Sequence, residues 1–182
     1  MKLIETGFDG LYILEPRAIE DSRGYFMESF NLKVLTDLGL KADFIQDNQS
    51  FSKEGVIRGL HYQNAPFAQT KLVRVLSGRI LDVVVDLRKD RPTFGKAYTV
   101  ELSAESRLQL YVPKGFAHGF SVLGNAAEIV YKCDNYYHPE SEGGILYNDP
   151  ALNIDWGVAR DKISVSEKDM RNPLLVDATI RF

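Results

Sequence analysis

The segment Ile80-Leu-Asp-Val-Val-Val-Asp-Leu87 decides the fold class of this chain. Successive side chains of a β-strand point to opposite faces, so one face of this segment is wholly apolar and carries Leu81, Val83, Val85 and Leu87. On the other face apolar side chains alternate with carboxylates, in the order Ile80, Asp82, Val84 and Asp86. A strand with one apolar and one partly polar face is typical of a jelly roll that encloses a wet pocket.

Short strand-like segments continue on both sides of it. They are rich in Val, Ile, Leu and Tyr and cover residues 72–76, 97–102, 108–112 and 128–132, with Gly or Pro in most of the gaps. Many short strands with this spacing predict an all-β sandwich or barrel.

Two helices are predicted, and both are short. The first covers residues 32–38, with Asn31 as its N-cap and Gly39 as its C-terminal stop. The second covers residues 166–171, where Ser166 and Asp169 have the spacing of a capping box with Asp in place of Glu. The C-terminal third, rich in Asn, Asp and Pro, is expected to lie as loops and short helices over the sheet.

Length and charge narrow the class of protein. The 182 residues fit one domain, 1–182, and 45% of them are hydrophobic, enough for a sizeable core. A net charge of -3 with 26% charged residues argues against a nucleic-acid or membrane-surface protein. Neither a membrane span nor a signal peptide at residues 1–10 is expected. The one cysteine, Cys133, allows no internal disulfide, and a cytoplasmic protein is the simplest interpretation.

Polar side chains gather in three segments, which are Gln46–Ser50, Arg58–Gln63 followed by Lys71, and Pro113–Phe120. A lone histidine in a predicted strand is more often a hydrogen-bonded core residue than a catalyst. Charges such as those of Arg58 and Lys71 are costly to bury in an apolar strand region unless they are paired. Their clustering around His61 therefore indicates a functional pocket.

The same segments resemble the cupin fold but depart from its metal-binding motifs. Those motifs contain His-x-His, then Glu, and later Pro-x-Gly-x-x-His, which Pro113, Gly115 and His118 match. In the first motif His61 is present, but Gln63 stands at the second histidine and Lys71 replaces the glutamate. A protonated lysine has no lone pair and repels a cation, so we expect a pocket for an anion or an enolate and no metal.

Several strings together resemble the dTDP-4-dehydrorhamnose 3,5-epimerase family over nearly the whole chain. The strings are Asp21–Phe30, Gln46–Asn48, Arg58–Gln63, Lys71–Gly78, Val112–Phe120, Tyr131–Tyr137 and Ser166–Asp169. No single string is decisive, but their joint order and spacing is highly specific. One departure is Gln49, where the family usually has His.

This resemblance implies a cupin-type jelly roll, or double-stranded β-helix, with a few short peripheral helices. It implies an enzyme that inverts C3 and C5 of dTDP-4-dehydro-6-deoxy-D-glucose to give dTDP-4-dehydro-L-rhamnose, a step of dTDP-L-rhamnose biosynthesis. The substrate would be a dTDP-linked 4-keto-6-deoxyhexose, the enzyme a homodimer, and neither a metal nor an organic cofactor would be needed.

The chemistry of such an inversion assigns roles to four side chains. Removing a proton next to a ketone needs a base, and His61 is suitable because imidazole titrates near neutral pH. The resemblance implies that Asp169 hydrogen-bonds His61, although simple helix capping would also account for Asp169. It further implies Tyr131 as the acid on the opposite face and Lys71 as the cation beside the enolate oxygen. Without the family, a half-buried strand tyrosine and a surface lysine would be simpler interpretations.

Other residues are implied to bind the substrate. Tyr137 resembles the side chain that stacks on thymine, and the remaining positions are Arg23, Glu28, Gln46, Asn48, Arg58, His118, Glu142 and Lys168. Without the family, His118 would be a turn residue and several of the others ordinary surface charges. Strict strand alternation puts Arg58 and His61 on opposite faces, and a bulge at Gly59 would reset them.

Three alternatives stay open at this point. A relative that inverts C3 alone would serve another deoxysugar, and Tyr131 argues mildly against it. A metal-dependent cupin oxygenase is disfavoured by Gln63 and Lys71. A non-catalytic module that binds sugar nucleotides would not need a His–Asp pair.

Overall fold

The computed structural model describes residues 1–41 and 43–182, and most of its regular structure is β-strand. The strands are β1 (Lys2–Glu5), β2 (Tyr12–Glu15), β3 (Ala18–Asp21), β4 (Gly24–Met27), β5 (Gln46–Lys53), β6 (Val56–Gln63), β7 (Lys71–Ser77), β8 (Arg79–Asp86), β9 (Ala97–Ser103), β10 (Gln109–Val112), β11 (Phe116–Val122), β12 (Ala126–Cys133), β13 (Glu142–Gly144) and β14 (Ser164–Val165). The helices are α1 (Leu32–Asp37) and α2 (Glu167–Met170), with 3₁₀ turns at Pro139–Ser141, Arg160–Lys162 and Leu175–Asp177. The predicted all-β jelly roll with short peripheral helices is confirmed.

Two antiparallel sheets pack face to face. The first has the strand order β1-β2-β10-β7-β12-β5, and the second has the order β13-β6-β11-β8-β9, with β14 paired in parallel to β6. Strands β3 and β4 form a separate hairpin. Apolar side chains of both sheets meet in one buried core, to which Val73, Ile80, Val84, Leu110, Phe120 and Ile129 belong. The sandwich is therefore held together by burial of apolar surface between its layers.

The segment that decides the fold class forms β8 and the residue after it. Its apolar face packs outward, where Val83 and Val85 meet Trp156 of the C-terminal region. On its other face Ile80 and Val84 belong to the core between the sheets, and the two carboxylates have different partners. Asp82 reaches His118, whereas Asp86 is bound by Arg88 and Thr93 at the strand end. The interior face of β8 is thus partly polar, as predicted, and Ile80 and Val84 form its apolar part within the core.

Helix α1 begins at Leu32 as predicted, and α2 begins at Glu167, one residue after the predicted start at Ser166. Asn31 Oδ1 accepts a hydrogen bond from Val34 N, and Gly39 follows α1 with φ +81°, a conformation that glycine adopts without steric penalty. Ser166 Oγ caps α2 by accepting from Asp169 N. In the described part of the chain, none of the helices has the length and apolar character that crossing a bilayer requires.

Candidate active site

A cavity of about 570 Å³ opens between the two sheets. A smaller recess of about 140 Å³ shares His61, Lys71 and Tyr131 with it and extends to Tyr137, so the two form one cleft. One wall belongs to the second sheet, where β6 carries His61 and β11 carries His118. The other wall belongs to the first sheet, where β7 begins with Lys71 and β12 carries Tyr131.

A bulge in β6 brings both Arg58 and His61 to this cleft. In the pairing of β6 with β11, His61 lies opposite His118 and Arg58 lies opposite Phe120, so β6 has one residue more than its partner between these pairs. The intervening Gly59 has φ +122°, which glycine tolerates and other residues rarely adopt. The bulge that the sequence required for a common face is therefore present.

Gly59 also lets β6 and β11 approach closely. A Cβ atom at Gly59 would lie 2.5 Å from Gly119 Cα and 2.8 Å from His118 O, both of which are backbone atoms. These atoms can move only if β11 moves, and β11 carries His118 into the cleft. The absence of a side chain at Gly59 is therefore a requirement of the site geometry.

We expect Gly59→Ala to lower the free energy of unfolding and to disturb the cleft. The left-handed backbone alone costs about 1–3 kcal/mol for a residue with a side chain, and the clash with β11 adds to this. Urea unfolding measures the loss. Gly24→Ala is a matched control, because Gly24 has φ +124° but no atom within 4 Å of an added Cβ. Equal losses in the two variants would show that the close approach at Gly59 has no energetic weight.

The central contact of the cleft joins His61 and Asp169. His61 Nε2 lies 2.6 Å from Asp169 Oδ1, the contact that the family resemblance implied. Asp169 is only 4% exposed, and its Oδ2 accepts a hydrogen bond from Gly59 N. Its backbone N–H is capped by Ser166, so helix capping and histidine pairing both occur, through different atoms of one residue.

The electrostatics of this pair favour an ionised carboxylate. Burial by itself raises the pKa of Asp169, but the hydrogen bond with His61, the His61 charge and the bonds from Gly59 and Ser166 lower it overall. An ionised Asp169 at Nε2 orients the imidazole and fixes its tautomer. The pair leaves Nδ1 of His61 for proton transfer, as a general base requires.

A second histidine–carboxylate pair lies beside the first on the same wall. His118 Nε2 lies 2.8 Å from Asp82 Oδ1, and both residues are buried. The sequence placed Asp82 on the interior face of its strand, but no role was predicted for it. The sequence did contain a signal for such a role, because a carboxylate that faces an apolar interior needs a partner.

Lys71 and Tyr131 face these histidines from the opposite sheet. Lys71 Nζ lies 5.9 Å from the centroid of the Tyr131 ring. Burial lowers the pKa of Lys71, and surrounding acidic groups oppose that change. Burial also raises the pKa of Tyr131; Cys133 adds to the effect and Arg58 opposes it. The phenol therefore carries its proton near neutral pH and is able to donate it.

The narrow end of the cleft is a network of predicted substrate-binding residues. Gln46 Nε2 donates to Asn48 Oδ1 over 3.0 Å, and Gln46 Oε1 accepts from Tyr137 N over 3.3 Å. Tyr137 OH donates to Glu142 Oε2 over 2.9 Å, and Lys168 Nζ donates to the same oxygen over 2.7 Å. Burial raises the pKa of Glu142, but these two hydrogen bonds lower it overall. The structure thus brings together five residues from three separate stretches of the sequence, 46–48, 137–142 and 168.

Arg58 has a neighbour that the sequence did not indicate. Its Nε donates to Ser52 Oγ over 3.0 Å, and Ser52 is buried on β5 of the opposite sheet. This contact holds the guanidinium beside the larger cavity. No sequence signal could have found Ser52, since a serine in a strand usually has no special role.

Two predicted substrate-binding residues lie elsewhere. Arg23 is at the tip of the β3–β4 hairpin, 87% exposed, and forms an ion pair with Asp21 over 2.6 Å. Glu28 accepts a hydrogen bond from Asn31 Nδ2 on the surface. Among the described residues that line the cleft, neither is found. The fold of one copy therefore does not unite Arg23 and Glu28 with His61.

Comparisons with known proteins identify the family of this chain. The family model of dTDP-4-dehydrorhamnose 3,5-epimerase matches residues 5–177. The chain is 50% identical to an enzyme of that name from Shigella flexneri over 179 residues, covering 98% of each chain. It superposes on the crystal structure of the Elizabethkingia anophelis enzyme with a TM-score of 0.94, at 52% identity and 97% coverage of both chains.

A further solved structure contains a ligand. It is a dTDP-6-deoxy-D-glucose-3,5-epimerase from Legionella pneumophila in complex with dTDP-4-keto-L-rhamnose. Its TM-score is 0.94 at 47% identity, with 100% of this chain and 98% of that chain covered. With this identity over nearly full length, the chain belongs to the dTDP-4-dehydrorhamnose 3,5-epimerase family.

Proposed function

We propose that this protein is an isomerase that converts dTDP-4-dehydro-6-deoxy-D-glucose to dTDP-4-dehydro-L-rhamnose in dTDP-L-rhamnose biosynthesis. The observation that carries the proposal is the two-sided cleft, with the His61–Asp169 pair on one sheet and Tyr131 with Lys71 on the other. Inversion at a carbon needs proton removal from one face and proton return to the other, and this arrangement supplies both.

Each inversion proceeds through an enolate. His61 takes the proton from the carbon next to the C4 ketone, and the electron pair of the broken C–H bond moves to the C4 oxygen. Lys71 stabilises that oxygen electrostatically. Tyr131 then donates its proton to the carbon from the opposite face, and both residues return to their starting protonation states through exchange with solvent. C3 and C5 flank the same ketone, so one such set of residues serves both after a shift of the ring.

The thymine end of dTDP binds at the narrow end of the cleft, and its diphosphate lies towards the larger cavity. Tyr137, 54% exposed, offers an aromatic face for thymine, and Gln46 and Asn48 offer carboxamide donors beside it. Arg58 and Lys168 are cations suited to the diphosphate, and His118 lies next to the reacting sugar. The complex of the Legionella relative with dTDP-4-keto-L-rhamnose supports this class of substrate.

A homodimer is part of the proposal. On the β3–β4 hairpin, the paired residues Ile19 and Phe26 are 59% and 68% exposed, and apolar side chains so exposed mark an interaction surface. A second copy packed against this hairpin would cover them and give Arg23 and Glu28 a route to a substrate. Sedimentation velocity of the purified protein measures its oligomeric state.

The buried free thiol of Cys133 is in keeping with a cytoplasmic location.

Proton NMR of the 4-keto sugar nucleotide in heavy water tests the function. Deuterium should enter at C3 and at C5, and the L-configured product should accumulate. Incorporation at C3 alone would identify a C3 epimerase of another deoxysugar pathway. A protein that binds the nucleotide without any exchange would be a non-catalytic binding module.

We expect activity to be independent of metal. The donor set does not fit a divalent ion, because Nε2 of both His61 and His118 is bound to a carboxylate and Lys71 stands where the metal-binding motif has a glutamate. Gln63, at the position of a metal-binding histidine, is bound to backbone atoms. Dialysis against a strong chelator should leave the exchange rate unchanged. Stoichiometric metal in elemental analysis, with activity lost on its removal and restored on its return, would refute this prediction.

A further inference from the structure

Gln63 joins three backbone groups of two different loops. It lies at the end of β6 and is 5% exposed. Its Nε2 donates to Phe67 O over 2.7 Å and to Tyr136 O over 3.2 Å, while its Oε1 accepts from His138 N over 2.7 Å. Both donor hydrogens and the carbonyl of the carboxamide are therefore used.

Two of these bonds bracket Tyr137 in the chain. The bonds to Tyr136 O and His138 N hold the peptide groups on either side of it. The Tyr137 ring itself is largely exposed and is bound through its hydroxyl to Glu142. The His138 ring stacks on Phe67 with centroids 3.7 Å apart, so the two loops that Gln63 joins also pack together. The position of the Tyr137 ring thus depends on anchoring of its backbone.

We infer that Gln63 is a positioning residue for nucleotide binding, which sets the Tyr137 segment in place before dTDP arrives; this inference rests on the proposed function. An unanchored segment would have to be ordered during binding, and that ordering reduces affinity. Gln63 lines the smaller recess, but its three hydrogen bonds go to loop backbone and none of them reaches His61, Lys71 or Tyr131. Its loss therefore weakens binding and leaves the chemical step intact.

The residue type matters because the site needs two donors and one acceptor. Glutamate has the same shape but presents only acceptors when ionised, so it would set an oxygen against Phe67 O and Tyr136 O. Methionine keeps the length of the side chain and forms none of the three bonds. These two substitutions remove the anchor in different ways and at similar side-chain volume.

The experiment compares dTDP affinity, by titration calorimetry, with the kinetics of exchange in heavy water. For Gln63→Met we expect the dissociation constant of dTDP to rise about tenfold, from the loss of buried hydrogen bonds. The KM for the 4-keto sugar nucleotide should rise with it, while kcat stays within about twofold. Gln63→Glu should also raise the dissociation constant and KM while kcat stays nearly unchanged. This second variant tests the inference even if Gln63→Met does not fold.

Coupling to Tyr137 separates positioning from general stability. If Gln63 acts through Tyr137, Gln63→Met combined with Tyr137→Ala should bind dTDP about as weakly as Tyr137→Ala alone. Asn64→Leu is the matched control, because Asn64 is also buried and also binds backbone groups. Its side chain donates to Thr179 O and accepts from Arg181 N, away from the cleft. It should lower stability and leave dTDP affinity unchanged.

Three results would overturn the inference. They are wild-type affinity in both Gln63 variants, additive effects of Gln63→Met and Tyr137→Ala, or a fall in kcat as large as that in kcat/KM. Each of these is distinct from failure of the proposed function, in which the unmodified protein itself would not bind dTDP and the inference would fall with it.

Discussion

His61→Asn should reduce deuterium incorporation at C3 and at C5 together, by about 10²–10⁴-fold. Asparagine keeps a hydrogen-bonding group near Asp169 but cannot take up a proton near neutral pH. A single base serves both carbons in the proposed mechanism, because C3 and C5 flank the same ketone and share Lys71 as the enolate-stabilising cation. Proton NMR in heavy water resolves the two positions separately.

Binding of dTDP provides the control for this variant. It depends on the narrow end of the cleft, where Tyr137, Gln46 and Asn48 lie, and should stay within a few-fold of wild type. A variant that still exchanges C3 at nearly the wild-type rate would show that another base serves that carbon. His118, paired with Asp82 on the same wall, would then be the candidate to replace next.

Tyr131→Phe should separate exchange from inversion. The variant keeps the aromatic ring beside Lys71 in the cleft but removes the phenol proton. His61 can still remove the C3 proton and return a deuteron to the same face, so exchange at C3 persists. The product inverted at C5 should fall by about 10²–10⁴-fold, the usual contribution of a positioned acid.

Tyr98→Phe is the matched control for this substitution. Tyr98 packs against the core between the sheets, next to Phe8. The substitution Tyr98→Phe therefore removes a hydroxyl that lies outside the cleft. It should form the L-sugar at the wild-type rate. The same rate in Tyr131→Phe would mean that Tyr131 is not the acid and that solvent or another group protonates the far face.

Much of the fold could be predicted because its signals are local. The five predicted strands correspond to β7, β8, β9, β10 and β12, with ends that differ by at most two residues. The alternation of their side chains and the Gly and Pro residues between them can be recognised within a few positions of the sequence. The caps at Asn31 and Ser166 are local as well, since each side chain binds a backbone group three residues on.

Strands without this apolar signal were missed. The sequence of β5 predicts a polar segment and no strand. Its exposed side carries Asp47, Gln49 and Lys53, and the residues that alternate with them are also mostly polar. Among the strands that the structure describes, it pairs with β12 alone and forms the edge of its sheet. Strands β3 and β4 are largely exposed, and their pairing with each other makes them strands. Strand β2 was also missed, although Ile13 and Leu14 are buried, because it has only four residues.

The sequence by itself determined the jelly roll, the residue types of the cleft and, through joint motifs, the family. The resemblance also implied that Asp169 meets His61, across 108 positions of the chain. Only the tertiary structure decided that Asp82 reaches His118 and that β6 has a bulge at Gly59, which brings Arg58 to the same cleft. It also placed Arg23 and Glu28 outside the cleft of one copy. Such contacts depend on how two sheets stack and on one extra residue in a strand, and neither is encoded in any short stretch of sequence.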